Sequence, residues 1–119
     1  MAKFMYIFRG GGYATPGNIS PTEIQQHLAK WNAWSNALLA AGRLAGAQPL
    51  EHPATGKTIR GPDRLVTDGP YAESKDLVSC TLVVEAASLQ EATELARDCP
   101  IFEFDGSVEV RPVLVPPAG

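Results

Sequence analysis

Few side chains in this 119-residue chain have the types and spacing to do chemistry, and two are the natural acid–base candidates. His27 lies one turn before Trp31 and two turns before Trp34. An imidazole set between an apolar wall and an opening has a tunable pKa and suits proton transfer near neutrality. The plainer alternative is a boundary histidine packed on tryptophan. Asp68 opens the stretch "DGPYAESKD". A turn aspartate usually accepts the N–H two residues on, but here that residue is Pro70, which has none. The carboxylate must use Tyr71 N–H, a more distant donor such as Arg64, or water, or else it faces a ligand. Gly69 relieves crowding before the proline and lets backbone approach closely. Arg9 and Arg111, with Glu109 between them in charge, fall on strand patterns. They form either a surface ion pair or a grip on an anionic small molecule. Trp31 and Trp34 complete the candidate ligand-contacting set.

Other chemistries lack their residues. His27 and His52 are far apart, and no H-x-x-x-H or C-x-x-C spacing offers a metal site. His52, before Pro53, reads as solvated. No G-x-S-x-G is present; Cys80 points to the core side of its strand, and Cys99 ends a helix, so neither has a setting that makes a thiolate. "RGGGYATPGN" matches neither a phosphate-binding loop nor a dinucleotide fingerprint, leaving a flexible loop or one that closes over a ligand. No cofactor is expected. A net charge of -3, a pI near 5.3 and scattered Lys and Arg argue against nucleic acid. No apolar run reaches a membrane span and no signal peptide opens the chain, which makes cytoplasm the default expectation. Two cysteines fit reduced thiols rather than a disulfide framework.

The elements that must position these residues are legible from their punctuation. "KFMYIF" is a dense strand, with Phe4, Tyr6 and Phe8 on one face and Met5 and Ile7 on the other. Ser20-Pro21-Thr22-Glu23 is a capping box with Pro at the first helical position, and Ile19 with Ile24 can staple the entry. The spacing predicts an inward stripe of Ile24, Leu28, Trp31, Ser35 and Leu38, with His27 and Trp34 on its shoulder, and a stop at Gly42. "RLAGAQPLE" reads as a strand, with Pro49 marking either an edge position or an early end. Short β pieces are expected at 57–60 and 64–67. "LVSCTLVVEA" is the strongest strand, with Val78, Cys80, Leu82 and Val84 on one side. Ser88-Leu89-Gln90-Glu91 caps a second helix that Pro100 ends, and "SVEVRPV" closes the sheet.

Strand, helix, strand, irregular β region, strand, helix, strand predicts an α+β ferredoxin-like sandwich: an antiparallel sheet with two helices on one face. One domain over 1–115 with a 116–119 tail is the simplest division. The other sheet face carries Met5 and Ile7 beside Ser79, Thr81, Glu109 and Arg111, and a two-fold homodimer is the simplest way to cover it.

"LVTDGPYAESKD", the closing "VEVRPV" and the opening "FMYIFRG" resemble the YCII-related, or DGPF-domain, proteins of bacteria. The hallmark is Asp68-Gly69-Pro70-Tyr71-Ala72-Glu73-Ser74-Lys75, with Tyr71 in place of the commoner phenylalanine. The resemblance implies a dimeric α+β barrel, and no established reaction. Smaller relatives carry a helix-1 histidine and an aspartate proposed as an acid–base pair, which points to His27 and Asp68. Two functions follow: a cofactor-independent enzyme on a small molecule using that pair, or a non-catalytic ligand-binding or regulatory protein associated with sigma-factor signalling.

Overall fold

In the computed structural model, residues 1–11, 20–51, 53–69 and 76–116 are described. The strands are β1 (Ala2–Arg9), β2 (Leu44–Pro49), β3 (Lys57–Arg60), β4 (Leu65–Asp68), β5 (Val78–Ala86) and β6 (Ser107–Pro112). Four of them form an antiparallel sheet in the order β2-β5-β1-β6, while β3 and β4 pair as a separate hairpin. Helices α1 (Pro21–Ala40) and α2 (Leu89–Ala96) cross over between strands. That order, with both helices packed on the β1 and β5 side chains that face them, is the ferredoxin-like sandwich. Short 3-10 turns occupy Pro53–Thr55 and Pro100–Phe104.

The local signals act as their chemistry dictates. Ser20 Oγ accepts the Glu23 N–H at 3.1 Å, and Ser88 Oγ accepts the Glu91 N–H at the same distance. Glu91 also reaches back to the Ala87 N–H and receives a hydrogen bond from Arg43, tying α2 to the start of β2. Gly42, at φ 72°, closes α1: its N–H donates to Leu39 O while Arg43 N–H donates to Leu38 O, the paired bonds of a Schellman stop. The expected partner of Ile24 in the entry staple, Ile19, lies outside the described residues, as does most of the glycine-rich loop, 12–19.

Phe4, Tyr6 and Phe8 alternate inward on β1 as expected and meet Leu82, Val84 and Ala86 of β5. Tyr6 is fully buried; its hydroxyl donates to Ala92 O, and burial pushes its pKa up to about 12. The inward stripe of α1 follows the sequence expectation at Trp31, Ser35 and Leu38 and departs from it in the first two turns. Ile24 and Leu28 are 44% and 54% exposed, while His27, Trp31, Trp34 and Leu38 face inward. The reason is aromatic: Trp31 meets Phe8 edge-on at 5.2 Å, Trp34 stacks on Tyr6 at 6.2 Å, and the two indoles contact each other at 5.7 Å. Two large rings seated on two more give more contact area than the aliphatic stripe would, so the helix turns His27 from the shoulder into the packed face.

Candidate functional site

Because α1 is rotated this way, His27 opens onto a hollow of about 290 Å³ at one end of the sandwich. Leu28, Trp31, Leu50 and Ile101 give it apolar walls, and Ser79 and Cys80 add a hydroxyl and a thiol. Ile101 is held there by crowding: a Cβ on Gly106 would come within 2.4 Å of its Cγ1, and one on Gly11 within 3.0 Å of its Cδ1. Those two glycines let the Pro100–Phe104 turn press against the β1 exit.

The imidazole is nearly enclosed, with 12% of its side chain exposed. Trp31 Nε1–H donates to His27 Nε2 at 2.8 Å. An acceptor nitrogen carries no proton, so the neutral ring bears its proton on Nδ1. Nδ1 is buried and has no hydrogen-bond partner among the described residues; Glu103 Oε1 lies 3.7 Å away, too far for a hydrogen bond but close enough to stabilise positive charge. Phe104 covers the ring, with centroids 4.3 Å apart. Burial lowers the His27 pKa, an effect that outweighs the raising influence of Glu103. The indole donor acts in the same direction, because it must give up Nε2 before that nitrogen can be protonated. Glu103 is itself anchored by Lys30 Nζ at 3.2 Å. Burial also raises the Cys80 thiol, and it pushes Cys99 up to about 12, so both sulfurs stay protonated.

Glu103 is the carboxylate that sequence reasoning missed. It sits in a five-residue 3-10 turn with no periodicity to betray it, about 75 positions from His27. The one local hint is "DG" at 105–106, where Asp105 takes φ 58° and reverses the chain.

Asp68 stands elsewhere. It ends β4 with its side chain 87% exposed and accepts from Lys57 Nζ at 2.6 Å, its register partner on β3. A second hollow, of about 500 Å³, lies beside the hairpin base, lined in part by Lys57, Thr58, Gly69 and Asp76, and it meets the His27 hollow at Leu50. Asp68 lines neither. Within one protomer the structure therefore does not bring His27 and Asp68 together. Of the other candidates, Trp31 lines the His27 hollow, whereas Trp34 donates its indole N–H to Leu95 O at 3.2 Å within the core. Arg9 and Arg111 meet on the open sheet face, where Glu109 bridges them: Arg9 Nη1 at 2.6 Å and Arg111 Nε at 3.6 Å. They are apart from the hollow's lining. His52 lies outside the described residues.

Comparison with known proteins settles the family. The YCII-related domain matches residues 10–115. This chain belongs to the YCII-related family. An uncharacterised protein of Rhizobium meliloti is 31% identical to it over 97 residues, spanning 79% of this chain and 78% of that one. Among solved structures, 5-chloro-2-hydroxyhydroquinone dehydrochlorinase (TftG) from Burkholderia phenoliruptrix, in complex with 2,5-dihydroxybenzoquinone, is similar at a TM-score of 0.47 and 19% identity, covering 91% of this chain and 90% of that one.

In this YCII-related chain the hallmark block enters the structure through its first two residues, since 70–75 lie outside the described residues. Gly69 has φ 73°, a conformation that favours glycine. Its N–H donates to Gly56 O at 2.8 Å and its carbonyl accepts from Thr58 Oγ1 at 2.6 Å. Asp68 and Gly69 thus lock the base of the hairpin, Asp68 through the ion pair to Lys57 and Gly69 through backbone geometry. No helix among the described residues is long and apolar enough to cross a membrane.

Proposed function

We propose that this YCII-related protein is a cofactor-independent enzyme that moves a proton on a small, largely apolar molecule, working as a two-fold dimer. The observation that carries the reading is a neutral imidazole at the wall of an apolar hollow with a carboxylate behind it. A volume of about 290 Å³ is at the small end of ligand sites and suits a single ring or short chain. In the proposed step, the substrate displaces the Trp31 N–H from His27 Nε2 and presents its own acidic C–H or O–H. Nε2 takes that proton, and the imidazolium is stabilised through Nδ1–H by Glu103, held by Lys30. The acid–base pair is then His27 with Glu103; Asp68 serves the hairpin. Arg9 and Arg111 hold charge on the sheet face that the second subunit covers.

One observation favours a second reading, a ligand-binding or regulatory protein without turnover. Both imidazole nitrogens are occupied or buried, which suits a ring that shapes a pocket rather than one that reacts.

Deuterium exchange separates the two. Single-ring and short-chain ketones, whose α C–H bonds exchange slowly in neutral buffer, are incubated with the protein in D2O, and loss of the α C–H signals is followed by proton NMR against a buffer control. The enzyme reading expects exchange that His27→Ala slows by about 10²–10⁴-fold, with Glu103→Gln slowing it less and Asp68→Asn leaving it near wild type. Compounds that bind in the hollow but exchange no faster than in buffer would establish the binding reading instead.

A further inference from the structure

The His27 hollow and the hairpin-base hollow lie end to end along one pair of strand ends. Leaving β2, the chain passes from Pro49, which lines the first, through Leu50, which lines both, to Glu51, which lines the second. β5 runs antiparallel beside it and repeats the order: Cys80 and Ser79 line the first hollow, Val78 and Leu77 the second. The ladder continues through the junction, because Pro49 pairs with Cys80 and Leu50 N–H donates to Ser79 O at 3.1 Å. Two antiparallel segments that change hollows at the same level bound a single groove, with Leu50 at its waist.

That waist is open enough to be crossed. Leu50 is 47% exposed, and a side chain at the surface changes rotamer within nanoseconds. The sizes agree: about 290 Å³ falls just under the usual range of ligand sites, whereas the two hollows taken together fall well inside it. Their linings differ in kind. Trp31, Leu28 and Ile101 wall the His27 end. The hairpin end adds the carboxylates of Glu51 and Asp76 and the hydroxyl of Thr58, while its Lys57 is already held by Asp68. Thr58 Oγ1 gives its proton to Gly69 O and keeps lone pairs for a donor. A neutral tail that donates hydrogen bonds suits such a lining, and an anionic one does not.

We infer that the two hollows form one bipartite ligand groove: a ring carrying the carbonyl sits at His27, and a neutral, hydroxyl-bearing tail crosses Leu50 to the hairpin base. The groove rests on the ring-sized ligand placed at His27 above, and it extends that reading to the shape and class of the substrate. From Pro49 to Glu51 is about 7 Å of extended chain, the reach of a tail of about four carbons and a hydroxyl. Leu50 is then the residue that decides whether a tail passes, and Gly69 of the hallmark block helps to wall the far end.

The test uses the full chain and two ketones with the same head: cyclohexanone, and cyclohexanone carrying a hydroxybutyl chain opposite its carbonyl. Calorimetric titration gives both affinities for wild type and for Leu50→Trp, which fills the waist from a half-exposed position. Wild type is expected to bind the tailed ketone about tenfold tighter, and in Leu50→Trp that preference is expected to fall to about twofold or less. A ratio cancels any loss common to both ligands. Equal binding of the two by wild type, or a Leu50→Trp protein that keeps the full preference, overturns the groove and leaves the His27 reading standing. The expected preferences without any exchange of the α C–H protons keep the groove and overturn proton transfer alone. If neither ketone binds, both fail. Should Leu50→Trp not fold by far-UV circular dichroism, intermolecular NOEs in wild type decide. Contacts from the tail to the Thr58 and Val78 methyls are expected, and contacts at the His27 end alone overturn the groove.

Discussion

The behaviour of His27 follows from which of its nitrogens is already engaged. Trp31 donates to Nε2, so protonation there must break an indole hydrogen bond in a setting where burial already disfavours charge. The folded-state pKa is therefore below the value near 6.5 of an unfolded histidine. Well above 6.5 both states are neutral and the group contributes no pH dependence. As pH falls, the unfolded chain binds the proton first, so stability is lost from about 6.5 down through the folded pKa. Urea unfolding of wild type and His27→Gln across this range should show the wild type losing more stability on acidification. Equal slopes would mean the ring titrates normally. Nitrogen NMR should find the proton on Nδ1, and Trp31→Phe should raise the titration midpoint, since it takes away the indole donor and keeps an aromatic ring in place. The histidine itself was legible in the sequence by type and by its neighbours; its carboxylate was not. Asp68 drew attention because Pro70 deprives it of the usual donor, and the structure answers with Lys57, a partner eleven residues back that only the hairpin register brings near.

Elements were legible wherever a short-range rule wrote them. Ser20 and Ser88 cap as their capping boxes require, Gly42 ends α1, and Pro49 ends an edge strand. What escaped was decided by contacts between elements. The face of α1 is chosen by Tyr6 and Phe8, residues no helical period can report. The Pro100–Phe104 turn is too short to carry a period and is set by how Ile101 fits against glycines. Two glycines make that distinction measurable. Gly42 has φ 72°, and a methyl added to it would meet nothing within 4 Å, so Gly42→Ala carries only the left-handed strain, about 1 kcal/mol. Gly106→Ala instead drives a methyl against Ile101, at 2.4 Å from Cγ1 and 2.7 Å from its carbonyl oxygen. Backbone must move there, and overpacking of this kind costs about 1–3 kcal/mol or more. Denaturant midpoints should rank wild type above Gly42→Ala and Gly42→Ala above Gly106→Ala. The second substitution should also disturb the His27 hollow, because Ile101 and Glu103 share the turn that shifts.

At the scale of the whole molecule, the antiparallel sandwich followed from the alternation of strands and capped helices, and a second sheet face in need of cover followed from β1 being apolar on both sides. The hairpin's position as a separate layer did not follow, because residues 57–68 read the same whether they extend the main sheet or leave it. A thin subunit, 18 Å in its shortest dimension, makes a thermodynamic prediction that needs no variant. If native protein is a dimer and unfolded chains are separate, mass action favours the native state as concentration rises. For a chain of this length unfolding absorbs about 80 kcal/mol per protomer, so Tm should climb by about 3 °C for each tenfold increase in concentration. Calorimetry over a hundredfold range resolves such a slope. A Tm independent of concentration would mean that the dimer, if formed, separates before it unfolds or never forms, and sedimentation at the same concentrations tells these apart.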